Sequence, residues 1–432
     1  MTLDPQIMKA VERLDYRVTV GDVATQAGLE LNLAEQGLLA LASEAGGHLQ
    51  VAETGDIVYL FPQDFRSILR NKYLRLQLQE WWEKIGRVLF YLIRISFGIV
   101  LIASILLIFV AIFIIVIASS ASRDGDSDSG GSVSMPNVWI GPDFFWIFSP
   151  NYYDDRTYET RRRNPDDKPS MNFLEAVFSF LFGDGNPNAD LEERRWRTIG
   201  HVIRNNGGAV IAEQIAPYLD DLGQGYTREY EEYMLPVLTR FNGRPEVSPE
   251  GGLVYQFPDL QTTAMEKRFA PVAAYLKEIP RRFSKASGGQ ILAAIGLGSL
   301  NLIGALTLGR LLAGGVVAAE LGGLVAFVNS IYWILLGYGA GFLLIPLIRY
   351  FWVQWRNQKI EARNRDRQNH AVFLNEANDT LKQKLAYAKQ FAGETYISAD
   401  DLAYTTERDL IEQDLEQTDK IDAEWQRRLE GR

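Results

Sequence analysis

Ile99-Val-Leu-Ile-Ala-Ser-Ile-Leu-Leu-Ile-Phe-Val-Ala-Ile-Phe-Ile-Ile-Val-Ile117 is the stretch whose reading decides the fold. It sits inside a run of 28 residues without a charge, Ile95–Ser122. A helix needs roughly 20 apolar residues to cross the hydrocarbon core of a bilayer. This run is therefore expected to be a transmembrane helix with length to spare. Upstream of it lies Gly55-Asp-Ile-Val-Tyr-Leu-Phe-Pro62, and far downstream lies Gly251-Gly-Leu-Val-Tyr-Gln-Phe-Pro258. The two octapeptides share Gly, Val, Tyr, Phe and Pro in register. One small module is expected twice, with the apolar run between the copies.

Each copy reads as helices followed by a β-hairpin. Asp4 and Pro5 form a helix start, an N-cap with proline at the first helical position. Residues 20–27 read as a second helix stopped by Gly28. Asn32 with Glu35 reads as a capping-box start for a third, which Gly46 and Gly47 end. Leu49–Val51, a Glu-Thr-Gly-Asp turn and Ile57–Phe61 give a hairpin signal. Three helices and a two-stranded wing over residues 1–65 make a winged-helix-like module. The second copy, residues 171–265, is expected to hold an apolar helix at 172–182 and a helix at 191–206 capped by Asp190 with Glu193. Further helices at 209–219 and 227–241 and a wing at 247–257 follow. Short Val/Tyr/Phe strands also look alike by chance; the matching helix order favours a duplication.

Basic helices are expected at 66–94 and 266–287. The first carries Arg66, Arg70, Lys72, Arg75, Lys84, Arg87 and Arg94. Trp81 and Trp82 approach the apolar run, residues 95–122, as interfacial aromatics would. Residues 123–170 read as a Gly/Ser/Asp linker and then a proline-broken aromatic segment. Its Trp139, Phe144, Phe145 and Trp146 are expected at the membrane interface. The second apolar block, 288–348, holds only Arg310 and Glu320 as charges. A charge at mid-bilayer costs roughly 2.5–3.5 kcal/mol on an insertion scale, so both belong in a turn between two spans, 288–309 and 323–348. Gly337 and Gly341 stand in GxxxG spacing, which suits close helix packing within the chain or between two copies. Residues 349–432 read as a charged helical tail. A stripe of Leu374, Leu381, Leu385 and Ala388 is expected to pack on the protein itself, and Ser398 with Asp401 to cap the last helix.

The net charge of −10 argues against nucleic acid or anionic lipid as a partner of the chain taken whole. There is no cysteine, and His48, His201 and His370 are far apart. Disulfides, thiolate zinc sites and Cys-ligated iron–sulfur clusters built from this chain alone are excluded, and no cofactor or metal is expected. Over residues 15–65 eight acids face a single basic residue, Arg17. Phosphate contacts dominate DNA affinity and need cations, so a DNA-reading role for this module is disfavoured. Asp184, Asn186, Asn188 and Asp190 begin like a calcium loop. Ala189 at the sixth position and Arg195 at the twelfth break the pattern. No nucleophile elbow, P-loop or dinucleotide fingerprint is present. Residues 1–20 are polar, so the first span is expected to serve as an uncleaved insertion signal.

Asn172-Phe-Leu-Glu-Ala-Val-Phe-Ser-Phe-Leu-Phe-Gly-Asp-Gly-Asn-Pro-Asn188, Leu191-Glu-Glu-Arg-Arg-Trp196, Ala212-Glu-Gln-Ile-Ala-Pro-Tyr-Leu219 and Val254-Tyr-Gln-Phe-Pro258 carry a resemblance. Together they resemble an uncharacterised membrane family of cyanobacteria and of the plant chloroplast envelope, over most of the chain. Its motifs mark the family but imply no chemistry. Plant members carry a loose iron–sulfur cluster biosynthesis label. Without cysteine, that label implies at most an indirect, scaffolding role here.

These readings converge on a mainly α membrane protein with about three transmembrane helices and two winged-helix-like α+β modules. The expected role is a non-enzymatic, membrane-anchored interaction or assembly factor in a cyanobacterial plasma or thylakoid membrane. Its expected partners are membrane lipid, another protein and a second copy of itself. A membrane-tethered transcription regulator is the alternative. Positive charge marks the cytoplasmic ends of spans, and three basic flanks occur. A single crossing at 95–122 followed by a hairpin satisfies only two of them. Either the first run is re-entrant, or the later block crosses three times, or the charge rule is broken.

Overall fold

The structure is a computed structural model describing residues 4–72, 74–121, 171–264, 270–376, 378–399 and 401–413, with scattered positions beyond. The chain forms two compact units. One is built from Met1–Gln79, Pro187–Ile279 and Lys359–Arg432, the other from Glu80–Asn186 and Pro280–Gln358.

The first unit begins with helix α1 (Pro5–Arg13), whose N-cap Asp4 accepts from the Gln6 N–H at 2.8 Å. Strand β1 (Arg17–Thr19) leads into α2 (Val20–Ala27), where Thr19 and Asp22 form a reciprocal capping box. Gly28, with φ 68°, ends α2 in the left-handed conformation that glycine adopts without strain. Helix α3 (Leu31–Ala45) follows, starting at Glu30 without the expected Asn32 cap. Strands β2 (His48–Ala52) and β3 (Ile57–Leu60) complete a sheet of order β1-β3-β2, in which Tyr59 lies opposite Val18.

The second module runs through α7 (Leu191–Asn205), β4 (Ala209–Val210), the short helix α8 (Ala212–Ile215), α9 (Tyr226–Glu229), α10 (Leu235–Phe241), β5 (Arg244–Val247) and β6 (Leu253–Gln256). Its sheet order is β4-β6-β5, and Tyr255 lies opposite Val210 as Tyr59 does opposite Val18. The expected helix over 227–241 is broken. Glu231 takes φ 53° between α9 and the 3-10 turn Glu232–Met234, and Pro236 starts a new helix in α10. The expected Asp190 cap also fails: that side chain makes no cap bond and takes Arg194 instead.

The two modules share one apolar core. Val23, Ala24, Leu38 and Leu41 of the first join Ile199, Ile203, Ile215 and Phe241 of the second. Glycines let α2 and α7 approach. A Cβ at Gly200 would stand 3.0 Å from Thr25, and one at Gly28 would stand 2.8 Å from the Glu193 carbonyl oxygen.

The expected basic helix at 266–287 is absent from its described part. Residues 270–287 run as a strap without regular structure, with Pro271 and Pro280 in it. Side-chain amides replace the missing ladder. Asn188 and Asn364 each bond both the N–H and the carbonyl of a strap residue, Ile279 and Glu278 respectively. The tail also departs from the helical expectation. Helix α14 (Tyr332–Asn375) and α15 (Asp379–Ala388) are followed by strands β8 (Thr395–Tyr396) and β9 (Leu402–Thr405). β9 extends the first sheet beside β2, and β8 runs parallel to β7 (Thr262–Thr263). Ser398 and Asp401 therefore close a turn before a strand rather than cap a helix. Leu381 and Ala388 do pack on the protein, against Ile211 and Val254.

The second unit is helical. α4 (Phe65–Lys72), still in the first unit, ends just before α5 (Leu74–Ala121), which enters the second unit at Glu80 and takes in most of the expected basic helix and the apolar run together. After residues 122–170 come α6 (Phe173–Phe182), α11 (Gly288–Leu312), α12 (Val316–Leu321), α13 (Gly323–Ser330) and the first part of α14. Parts of α5, α11 and α14 are long and apolar enough to cross a bilayer. The second span of the later block thus starts at Tyr332, not 323. Gly315, Gly322 and Gly323, at φ 72°, 58° and 51°, break the preceding residues into two short helices. Arg310, in the last turn of α11, and Glu320, in α12, are both exposed.

Candidate functional sites

The chain segment 172–188 builds a polar cluster on α6. Asp184 pairs with Arg94 of α5 at 3.0 Å, and accepts from the Ser179 hydroxyl at 2.6 Å and the Lys285 backbone N–H at 2.7 Å. Arg349 of α14 donates to the Ser179 and Phe180 carbonyls at 3.1 and 2.8 Å, which satisfies carbonyls left open at the α6 C-terminus. Its guanidinium also lies 4.2 Å from the centre of the Phe283 ring. Gly183, at φ 81°, leaves no room for a side chain, because a Cβ there would meet the Arg349 guanidinium. The basic ends of the three long helices thus meet at one place. Charge compensation and carbonyl capping account for this geometry. Three of the four residues that resemble a calcium loop have separate tasks: Asp184 neutralises arginine, Asn188 clamps the strap, and Asp190 takes Arg194.

A second candidate is the outer face of α3, the third helix of the first module. Asn32, Leu33, Glu35, Gln36, Leu39 and Ser43 are exposed there, Leu33 at 54% and Leu39 at 45%. This face has no Lys or Arg. Arg17, the one cation of the module core, is turned inward. It donates to the carbonyls of Ala264 (3.1 Å), Ile397 (2.7 Å) and Ser398 (3.2 Å). In the second module the matching helix is engaged with the first: Arg240 donates to the Gly28 carbonyl at 2.6 Å and lies 4.5 Å from the Trp196 ring centre.

Buried charges knit the unit together. Asp22 is fully buried, accepts from the N–H groups of Thr19 and Ala264 at 2.9 and 3.1 Å, and pairs with Arg204 at 2.6 Å. Burial pushes its pKa up; the Arg204 charge and the backbone bonds outweigh that and hold it below the usual carboxylate range. Glu278 of the strap is held down in the same way by Arg363 and Arg367. These networks join segments far apart in sequence, so no local pattern announced them.

Trp81 and Trp82 are exposed on α5 with ring centres 6.1 Å apart. Trp139, Phe144, Phe145 and Trp146 lie outside the described residues. Among the described residues Gly337 and Gly341 meet no other helix of this chain: nothing beyond α14 itself lies within 4 Å of a Cβ built on either. Glycines that do bring helices together are Gly298 against Phe342, Gly304 against Ile108 and Gly339 against Leu302. Among the described residues no cluster of three His, Cys, Asp or Glu side chains is placed to hold a metal.

The class is then defined: a mainly helical protein with three helices long enough and apolar enough to span a membrane, carrying small sheets on a separate unit. The chain is 40% identical over 436 aligned positions to the Arabidopsis thaliana protein named Uncharacterized protein At5g03900, chloroplastic, which covers 98% of this chain and 81% of the relative. It belongs to the family of that protein. No family model matches the chain, and no solved structure matches it.

Proposed function

We propose that this is an integral membrane protein of the cyanobacterial type whose tandem winged-helix-like modules recruit or assemble protein partners at the bilayer, without catalysing a reaction. The observation that carries this reading is the outer face of α3. It offers Leu33 and Leu39 among uncharged and acidic residues, where a DNA-reading helix needs cations. Exposed leucines on a rigid helix supply the apolar centre of an interface, and Glu35, Gln36 and Ser43 supply a polar rim. The inward turn of Arg17 supports the same choice.

Affinity purification of the full chain in mild detergent tests this, with Leu33→Glu/Leu39→Glu beside the wild type. The expected result is a defined companion that the double variant loses while its unfolding temperature stays unchanged. A wild-type chain that reproducibly emerges alone overturns the reading. Salt-sensitive binding to duplex DNA would instead support a transcription regulator.

A further inference from the structure

Arg281 of the strap and Arg356 of α14 share one aromatic ring. Their guanidinium carbons lie 5.5 and 5.2 Å from the centre of the Trp352 indole. Arg281 is placed by its backbone: its N–H donates to Asn357 Oδ1 at 2.8 Å, and its carbonyl accepts from Asn357 Nδ2 at 2.9 Å. Among the described residues neither guanidinium has a carboxylate or hydrogen-bond partner. Burial and the neighbouring Arg356 charge both lower the Arg281 pKa, as expected of two like charges held together without a counter-ion. Nearby Arg94 and Arg349, by contrast, have their acid and carbonyls.

Trp352 also heads an apolar stripe. Ile348, Ile345 and Gly341 lie four, seven and eleven positions back, which places all four on one face of α14. Ile348 is 68% exposed. The stripe runs about 17 Å along the helix, and Gly341 at its far end adds no bulk.

We propose that Arg281, Trp352 and Arg356 form the headgroup site of a phosphodiester lipid of net negative charge, with one acyl chain lying along Ile348, Ile345 and Gly341. The site rests on the membrane-spanning part of the proposed function, and not on partner recruitment. Two guanidinium forks match the non-bridging phosphate oxygens, and the phosphate is the anion they lack. The indole stands where aromatic side chains prefer the headgroup level. The chain's overall negative charge does not oppose this, because the site's own charge is local and positive.

The test is native mass spectrometry of the full chain in mild detergent, titrated with dioleoyl phosphatidylglycerol or dioleoyl phosphatidylcholine. Wild type is expected to retain the anionic lipid at least tenfold better. Arg281→Gln/Arg356→Gln should remove that preference, and Arg281→Lys/Arg356→Lys should keep part of it. Arg244→Gln, on β5 of the other unit, should leave it intact. Equal retention of both lipids by wild type overturns the proposal, as does undiminished preference in the double Gln variant. Full displacement of the lipid by inorganic phosphate would show a free-anion site instead of a lipid site. Loss of protein partners in Leu33→Glu/Leu39→Glu with lipid preference intact would separate the two readings.

Discussion

Gly28 and Gly46 share φ 68°, yet their surroundings differ. A Cβ at Gly28 would press on the Glu193 carbonyl and the Arg197 N–H of α7, whereas among the described residues nothing lies within 4 Å at Gly46. Alanine at Gly46 should therefore cost only the left-handed strain, about 1 kcal/mol. Alanine at Gly28 should cost that plus a forced separation of α2 from α7, about 3 kcal/mol together. Chemical denaturation of the full chain in detergent compares them, and equal losses would refute the close packing. His201 supplies a pH effect. Burial, then the charges of Arg204 and Arg197, lower its pKa from 6.5 to about 4. The unfolded chain takes up a proton near pH 6.5 that the folded chain refuses until about pH 4. Its contribution is whole above pH 6.5 and is lost as pH falls toward 4. The unfolding temperature of wild type should fall more steeply over that range than that of His201→Gln. Coincident slopes would remove His201 from the account.

The strap and the tail strand are the elements that depend on borrowed hydrogen bonds. Asn364 donates to the Glu278 carbonyl at 2.9 Å and accepts from its N–H at 2.8 Å. Asn364→Ala leaves both backbone groups without these partners, a loss of about 2 kcal/mol at roughly 1 kcal/mol per bond. Faster proteolysis within 270–285 should report it; unchanged cleavage there would mean the clamp carries no load. On β9 the outer edge is closed by one side chain. Gln413 accepts from the Thr405 N–H and donates to the Thr405 carbonyl, both at 2.8 Å, as a further strand would. Open strand edges invite pairing with other chains. Gln413→Ala should speed amide exchange at Thr405 while leaving the β2–β3 pairing protected.

Topology follows from the company the segments keep. Residues of the first module, the second module and the tail form one compact unit, and the first two share one core. Segments that fold together lie on one side of any membrane the chain crosses. In the other unit, α6 packs at the level of Leu101 and Ile105 of α5, while Ile108 to Ile115 meet the far half of α11. The chain therefore resumes at residue 171 near the basic end of α5, not near Ala121. Arg94, Lys285 and Arg349 gather at that same end, so one orientation satisfies all three basic flanks. Because the chain has no cysteine, single cysteines can map this directly. Ser43→Cys, Glu250→Cys and Glu407→Cys should react with an impermeant maleimide from one side, and Gly315→Cys from the other. Labelling of positions 43 and 250 from opposite sides would break the shared unit.

The apolar runs, the turn glycines and the paired octapeptides were legible in the residues, because each depends on neighbours within a few positions. Hydrophobic length reports a span, and Val-Tyr beside a glycine turn reports a hairpin. The charge pattern of the strap suits a helix, but its prolines and its distant asparagine partners favour an irregular path. In the sequence Arg17 is only the one basic residue of 15–65; the carbonyls of Ala264, Ile397 and Ser398 that hold it come from far along the chain. GxxxG spacing marked Gly337 and Gly341, but the helix contacts fell on Gly298, Gly304 and Gly339. A periodicity says which residues share a face and not what that face meets. The first apolar run therefore kept its identity as a membrane-length helix from sequence to structure. That both modules share one core, and that residue 171 resumes beside the basic end of this helix rather than beside Ala121, came from buried contacts between residues far apart in sequence.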